Sequence, residues 1–296
     1  MSADSVNITS PTDVTPSLSN AGLSPTYSVM ALDEYGNQQE KYIAGEQPLT
    51  IYVNKKEIVT LMTLGTQPEA LVLGYLKNQG FIENIADIKS VQVDWETESA
   101  AIVTHHEHDW EEKLSKRTVT SGCGQGTVFG NMMEQLENIK FENTELKQST
   151  IYALLDNISK ENEVYKRAGG VHGCALCHHD KQLIFVEDVG RHNAVDTICG
   201  LMWLNQISGN DKTFYTTGRL TSEMVIKVAQ MGVPILLSRS GVTHMGLSLA
   251  QQLGVNLIAR AKGKHFLIFN GADNIKLDAQ PPIRLQGNKT AKAVNQ

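Results

Sequence analysis

The chain has 296 residues, of which 41% are hydrophobic and 20% are charged, and its formal net charge is −6. These values are ordinary for a soluble globular protein with one large or two modest domains. The acidic balance argues against general binding to nucleic acid or to a membrane surface, because such proteins carry a positively charged face. In addition, no apolar run reaches the roughly 18 residues of a membrane span.

The N-terminal residues lack the basic and apolar regions of a secretory signal. We therefore expect a cytoplasmic protein with reduced thiols. The chain has four cysteines. In the cytoplasm, cysteines are more often reactive or metal-bound than paired in structural disulfides.

The chain divides into four segments by composition and periodicity. Residues 1–26 are rich in Ser, Thr, Asn and Pro, which predicts a disordered tail. Residues 27–145 combine alternating strand patterns with an apolar helix at 67–82, and predict a small α+β subdomain that ends with a cysteine loop. Residues 146–271 alternate strands and helices and predict an α/β core with a sheet covered on both faces. Residues 272–296 are polar and predict a second tail.

Within the core, the segment "STIYALLDNISKENEVYKRAGG" predicts one helix that begins at Ser and Thr and ends at two glycines. Three strand-then-helix units follow, and two strands around the basic turn of "ARAKGKHF" close the fold.

The stretch "TSGCGQG" places Cys123 among glycines, which provide little packing and much backbone freedom. This arrangement suits a thiol that must meet a partner. The alternative is a turn that happens to contain a small buried cysteine.

Polar and charged residues follow three predicted strands, where open α/β sheets bind ligands. Helix N-termini at these junctions attract phosphate, and arginines can bind it bidentately. The candidate binding residues at these junctions are Asp188, His192, Arg219, Ser222 and Arg239. The alternative for the Ser and Thr residues there, including Thr221 and Thr243, is ordinary helix capping.

In "EDVGRHNAVD", the residues Asp188, His192 and Asp196 are spaced four apart. If the helix begins near Asp188, they line one face, and a carboxylate would fix the tautomer of His192 and raise its pKa. The alternative is a charge network at the start of the helix.

The stretch "GGVHGCALCHHD" contains a C-x-x-C pair beside two histidines, which can bind zinc. A structural site usually needs a second ligand pair, and none with clean spacing exists. Because the segment alternates as a strand, Cys174 and Cys177 should face opposite sides of a sheet. We favour buried thiols and predict no metal site.

The turn near the C-terminus carries Arg260, Lys262, Lys264 and His265 around Gly263. These side chains form a local anion site if they converge. The alternative is a solvated, charged hairpin.

Together, several stretches resemble the FdhD/NarQ family of accessory sulfurtransferases for formate dehydrogenase, over about residues 46–269. The stretches are "EDVGRHNAVDTICG", "GGVH", "TGRLTSEMV", "GVPILLSRSGVT" and "LAQQLGVNLIARAKG". The resemblance implies a cytidine deaminase-like, three-layer α/β core with an N-terminal α+β subdomain, and a homodimer. It also implies a sulfur carrier that accepts a persulfide from a cysteine desulfurase. The sulfur would pass to the molybdenum cofactor, bound as a substrate in its bis-guanine-dinucleotide form, before insertion into formate dehydrogenase.

The family's sulfur-bearing loop has the pattern Cys-Gly-x-Cys-Gly, and its first cysteine falls on Cys123, which the resemblance makes the catalytic residue. Here Gly126 stands where the second cysteine would be, and Cys174 or Cys177 is a hypothetical replacement. The family also often has an aromatic residue near the position of Arg260, and this chain does not. The cofactor contact of the family falls on Arg260, Ala261, Lys262, Gly263, Lys264 and His265.

Two other functions are compatible with the sequence. The missing loop cysteine is compatible with a non-catalytic chaperone that binds the cofactor or formate dehydrogenase. A zinc hydrolase on a deaminase-like scaffold would need H-x-E and P-C-x-x-C signatures, which the stretch around Cys174 lacks.

Overall fold

The computed structural model of the chain describes residues 15–106, 136, 139, 141 and 144–282. Residues 15–106 form an N-terminal α+β unit. Its elements are β1 (Ser17–Leu18), β2 (Thr26–Leu32), β3 (Gln38–Ala44), β4 (Gln47–Val53), β5 (Lys56–Thr63), α1 (Pro68–Asn78), β6 (Ile88–Asp94) and β7 (Ser99–Thr104). A five-stranded sheet has the order β1-β6-β7-β4-β5, and β2 and β3 form a separate ribbon. Alternate residues of β4 are fully buried beneath α1, as expected for a sheet with one covered face.

The second unit is an α/β core. Its elements are β8 (Leu146–Lys147), α2 (Gln148–Glu161), α3 (Glu163–Ala168), β9 (His172–His178), β10 (Lys181–Asp188), α4 (Arg191–Leu204), β11 (Thr213–Thr216), α5 (Ser222–Gln230), β12 (Ile235–Ser238), α6 (His244–Leu253), β13 (Asn256–Lys262), β14 (His265–Asn270) and β15 (Ile275–Lys276).

The main sheet of the core has the order β10-β9-β11-β12-β13-β14. Strands β11, β12 and β13 are parallel, and β9 is antiparallel to both β10 and β11. Strand β14 is antiparallel to β13. The carboxyl ends of β10 to β13 therefore meet the amino ends of β9 and β14 at one edge of the sheet.

Helices cover both faces of this sheet, as the alternation of strands and helices predicted. Residues of α4, α5 and α6 form one apolar cluster with Cys174 and Leu176, whereas residues of α2 form another with Ala175 and Cys177. The two cysteines of β9 thus face opposite sides, which confirms the prediction from the alternating pattern. In the described part of the chain, no helix is long and apolar enough to cross a membrane.

The two units meet where helix α1 crosses helix α4 with almost no side chains between them. A Cβ atom added to Gly74 would lie 1.7 Å from the carbonyl oxygen of Asp196, and one added to Gly200 would lie 1.9 Å from that of Ala70. The backbones are therefore in direct contact, which brings α1 close enough for nearly all of its residues to be buried.

The described parts of the two predicted tails, residues 15–26 and 272–282, differ from the prediction, whereas residues 1–14 and 283–296 lie outside the described residues. Strand β1 pairs with β6, and the Glu69 carboxylate accepts hydrogen bonds from Ser19 Oγ (2.6 Å) and the Ala21 amide (2.7 Å). Residues 15–26 are therefore part of the N-terminal unit. At the other end, β15 pairs with β8, and Asp278 accepts hydrogen bonds from Ser149. These anchors are distant in sequence, so composition did not reveal them.

The single helix predicted over 149–168 is interrupted. Asn162, with φ −71° and ψ 67°, separates α2 from α3. The buried Glu187 carboxylate accepts hydrogen bonds from the amides of Val164 and Tyr165, both at 2.9 Å. This carboxylate satisfies donors at the start of α3, and it stabilises a new helix start that the local sequence does not show.

The contact between α1 and α4 gives a first prediction. Gly74→Ala and Gly200→Ala should each lower the free energy of unfolding by at least about 3 kcal/mol, because the methyl group meets backbone rather than a movable side chain. Urea unfolding measures the loss.

The matched control is Gly36→Ala, at a position with φ +84° and open space around it. It should cost only about 1–2 kcal/mol of backbone strain. Equal losses at all three positions would show that the helix crossing accommodates a methyl group.

Candidate functional site

Two adjoining cavities lie at the edge where the strands of the core sheet end. The first has a volume of about 380 Å³ and is lined by His172, Gly173, Thr217, Arg239, Ser240 and Arg260. The second, of about 370 Å³, is lined by Tyr215, Lys166, Ala261, Lys262 and Gly263. Both cavities are also lined by Asn162, Tyr165 and Arg239, so they meet at these residues. Volumes of this size are typical of small-molecule sites.

A third cavity, of about 900 Å³, lies beside the edge strand β14 and has a mostly apolar lining. Lys264 and His265 lie on its side of the hairpin turn, whereas Lys262 and Gly263 lie on the other side. The charged side chains of the basic turn therefore do not converge on one point. The hypothesis of an anion site formed by this turn required such convergence. We place the candidate site at the first two cavities, because charged side chains from several strand ends meet there.

Arg239 and Arg260 both line the first cavity, which brings together two residues predicted from different segments. Arg260 has a left-handed backbone conformation, with φ 55°, at an irregularity in the pairing of β13 with β14. Its amide donates to the Ser240 carbonyl at 2.9 Å, and its guanidinium would lie 3.5 Å from a Cβ added to Gly241. A left-handed residue other than glycine costs roughly 1–2 kcal/mol, and such strain is common at functional sites.

Arg219 and Ser222 do not line either cavity. Arg219 is exposed in the loop after β11, and Ser222 is the first residue of α5. Thr243 is the N-cap of α6, because its Oγ1 accepts a hydrogen bond from the Gly246 amide at 3.2 Å. In contrast, the buried Oγ1 of Thr221 has no hydrogen-bond partner among the described residues.

His172 is a site residue that the sequence did not assign to the pocket. It begins β9, and its Nδ1 lies 3.4 Å from Thr217 Oγ1. Burial, followed by the positive charges of Arg191 and Arg219, lowers the pKa of His172 below its usual value of 6.5, so the ring is mostly neutral at pH 7. The sequence signal was its place at the start of the alternating strand pattern, but only the antiparallel direction of β9 puts it at this edge.

Asp188 joins the two units and does not enter the cavities. Its carboxylate accepts hydrogen bonds from Thr63 Oγ1 (2.5 Å), the Leu64 amide (3.2 Å), the Gly190 amide (2.9 Å) and Asn193 Nδ2 (2.9 Å). Burial raises the pKa of Asp188, and these hydrogen bonds oppose that rise. The side chain therefore fixes the end of β10 to the end of β5.

The expected pairing of Asp188 with His192 is wrong. Helix α4 begins at Arg191, after Asp188, and the carboxylate that meets His192 Nε2 is that of Glu223, at 3.1 Å. Both side chains are buried. Instead of being raised, the pKa of His192 is lowered to about 2, first by burial and then by the charge of Lys227. His192 is thus neutral at physiological pH and lies in the interior.

Asp196, the third residue of that series, forms a fully buried ion pair. Lys227 Nζ lies 2.7 Å and 3.0 Å from its two carboxylate oxygens, and both side chains have no exposed surface. Asn78 of α1 donates to the same carboxylate at 2.7 Å. The structure therefore contains a charge network, which was the alternative interpretation of this series. The network links α1, α4 and α5.

The sulfur-bearing candidate, Cys123, lies outside the described residues. The other three cysteines, Cys174, Cys177 and Cys199, are buried, and burial raises the pKa of each to about 12. A buried thiol with a raised pKa is a poor nucleophile, which weakens the hypothesis that Cys174 or Cys177 replaces the missing loop cysteine. No group of three potential metal ligands occurs in the described ranges.

The burial of His192 gives a prediction for the pH dependence of stability. Its pKa is lower in the folded than in the unfolded chain, so the unfolded state takes up the proton first and stability falls as pH drops below 6.5. Between pH 7 and pH 5 this amounts to about 2 kcal/mol. His192→Gln should lose about 2 kcal/mol less than the original protein over that interval, as measured by urea unfolding at both values.

His179→Gln, in the exposed turn between β9 and β10, is the control and should keep the original pH dependence. If His192→Gln kept it as well, His192 would not be neutral in the folded protein.

The known proteins that this chain resembles indicate one family. The sequence model of the FdhD/NarQ family matches residues 44–276. The sulfur carrier protein FdhD of Listeria innocua is 32% identical over 241 residues, which cover 80% of this chain and 92% of the relative. That of Bacillus subtilis is 30% identical over 240 residues, which cover 80% and 91%.

A crystal structure of a formate dehydrogenase accessory protein from Desulfotalea psychrophila has the same overall fold. It matches with a TM-score of 0.68 and 27% sequence identity, covering 84% of this chain and 98% of that chain. The matched segment of the sequence contains β4 to β15 and the edge at which Arg239, Arg260 and His172 meet. The chain belongs to the FdhD/NarQ family.

Proposed function

We propose that this protein is a sulfur carrier and sulfurtransferase for maturation of the molybdenum cofactor. Cys123 accepts sulfur from a cysteine desulfurase and passes it to the cofactor, bound as a substrate in its bis-guanine-dinucleotide form, before insertion into formate dehydrogenase. The observation that carries the proposal is the convergence of Arg239 and Arg260 on one cavity at the strand ends of a chain whose relatives are named sulfur carriers.

The first step is an exchange at sulfur. The Cys123 thiolate attacks the outer sulfur of the desulfurase persulfide, a new sulfur–sulfur bond forms, and the desulfurase cysteine leaves as a thiolate. No oxidant is needed, because the persulfide bond is exchanged rather than created. The burial of Cys174, Cys177 and Cys199 supports the assignment of this role to Cys123.

The two cavities would hold a nucleotide arm of the cofactor. Arg239 and Arg260 would bind its phosphates, since planar guanidinium groups match phosphate oxygens bidentately. The turn formed by Ala261, Lys262 and Gly263 lines the second cavity beside them. The neutral ring of His172 adds a hydrogen-bonding group without a further charge.

The finer features implied by the family belong to the same proposal. They are a cytidine deaminase-like core, a homodimer, and direct association with a cysteine desulfurase and formate dehydrogenase. A second candidate function is a chaperone that binds the cofactor without moving sulfur. The specific observation in its favour is Gly126, which stands where the family's second loop cysteine would be.

Sulfur loading tests the carrier role directly. After incubation with a cysteine desulfurase and cysteine, peptide mass spectrometry should show a gain of one sulfur on the Cys123 peptide, and reductant should remove it. Cys123→Ala should abolish the gain, whereas the control Cys177→Ala, which alters a buried thiol, should retain it.

The absence of sulfur on Cys123 in a protein that still binds guanine nucleotide would favour the chaperone. A gain on one of the buried cysteines instead would show that the carrier residue is wrongly assigned.

Binding of guanosine diphosphate tests the phosphate site. Arg260→Gln and Arg239→Gln should each weaken binding roughly 10- to 150-fold, because a hydrogen bond to a charged group contributes about 1.5–3 kcal/mol. Calorimetric titration at constant salt measures the change.

Arg219→Gln is the matched control, because Arg219 is exposed and lines neither cavity. A larger loss from this control than from the other two variants would place the phosphates in the loop after β11 instead.

A further inference from the structure

Tyr165 is a large aromatic side chain whose exposure packing does not explain. It is 51% exposed, and it is absent from each of the apolar clusters formed by the described residues. Tyr165 lines both cavities of the candidate site, together with Asn162 and Arg239. A partly exposed ring between two cavities at a strand-end edge is in the position of a ligand contact rather than a core residue.

The helix that carries Tyr165 is held firmly although it is only six residues long. The amides of Val164 and Tyr165 both donate to the buried Glu187 carboxylate, at 2.9 Å. At its far end, the Arg167 guanidinium lies 3.6 Å from the ring centroid of Tyr42 in strand β3. The backbone of Tyr165 is therefore fixed from two sides, by the end of β10 and by the β2–β3 ribbon.

A tyrosine in such a place suits a planar ligand. Nucleobases stack on aromatic side chains whatever the base, because every base has a π-face. A tyrosine ring has two rotatable side-chain angles, so little conformational entropy is lost when it becomes ordered against a ligand. Arg239, which also lines both cavities, would bind the phosphates of the same molecule.

We infer that Tyr165 is the base-stacking residue of this protein, and that it holds the purine of a nucleoside diphosphate group between the two cavities. The inference rests on the proposed function, since the ligand is the nucleotide arm of the proposed substrate. It supplies the stacking surface that this chain lacks near Arg260. Glu187 is a positioning residue, because it acts on the ligand only by fixing the helix of Tyr165.

Binding of guanosine diphosphate and of inorganic pyrophosphate, measured by calorimetric titration, tests the inference. Tyr165→Ala should weaken guanosine diphosphate binding roughly 5- to 150-fold, the range observed when a stacked aromatic is removed. Tyr165→Phe should bind almost as well as the original protein, and Tyr165→Leu should behave like Tyr165→Ala. Pyrophosphate binding should be the same in all four proteins.

The controls separate this inference from the proposed function. Tyr35→Ala removes a tyrosine of the β2–β3 turn that is 83% exposed and lines neither cavity, and it should change neither titration. Normal guanosine diphosphate binding by Tyr165→Ala would overturn the stacking role and leave the sulfur carrier intact. Failure of the original protein to bind guanosine diphosphate would overturn the stacking role together with the nucleotide site, while sulfur loading of Cys123 would remain a separate result.

Discussion

The direct contact between helices α1 and α4 is the constraint on which the rest of the structure depends. Gly74 and Gly200 let the two backbones touch, and Asn78 then reaches the buried ion pair of Asp196 and Lys227. Burying two charges costs several kcal/mol unless they are paired and hydrogen-bonded. Here each partner of the pair comes from a different helix, so the network satisfies its charges in one arrangement of α1, α4 and α5. Helix α4 of the second unit therefore contacts the first unit directly, and it begins three residues after the end of β10.

The two adjacent carboxylates at the end of β10 hold different elements of the structure in place. Asp188 points to the N-terminal unit and accepts hydrogen bonds from Thr63 and Leu64. Its neighbour Glu187 accepts the amides at the start of α3 and places Tyr165 at the cavities. Adjacent residues of a strand point to opposite faces, so this pair can fix one element on each side. The first two residues of the stretch "EDVGRHNAVDTICG" therefore have a structural role, and their effect on the site is indirect.

Local patterns predicted most elements of the core and the opposite orientations of its two strand cysteines, because periodicity and turn residues are short-range properties. They missed features that depend on distant partners. The break at Asn162 needs Glu187, and the ordering of residues 15–26 needs Glu69. The sequence also could not give the direction of β9, which brings His172 to the strand ends, or the charges that surround His192. Arg239 and Arg260 line the same cavity because their strands are neighbours in the sheet. Lys264 lies on the other side of the hairpin turn, beside the third cavity.

The electrostatics of the site depend on arginines rather than on histidines. Arg191 and Arg219 help to lower the pKa of His172, so this ring contributes little positive charge near pH 7. Arginine stays protonated throughout the physiological range, and its planar group is only weakly hydrated. An acidic protein with a net charge of −6 thus presents a local cationic edge whose attraction for phosphate does not vary with pH near neutrality. A neutral imidazole between fixed cations would then give or accept a hydrogen bond at the proposed ligand without changing the charge of the site.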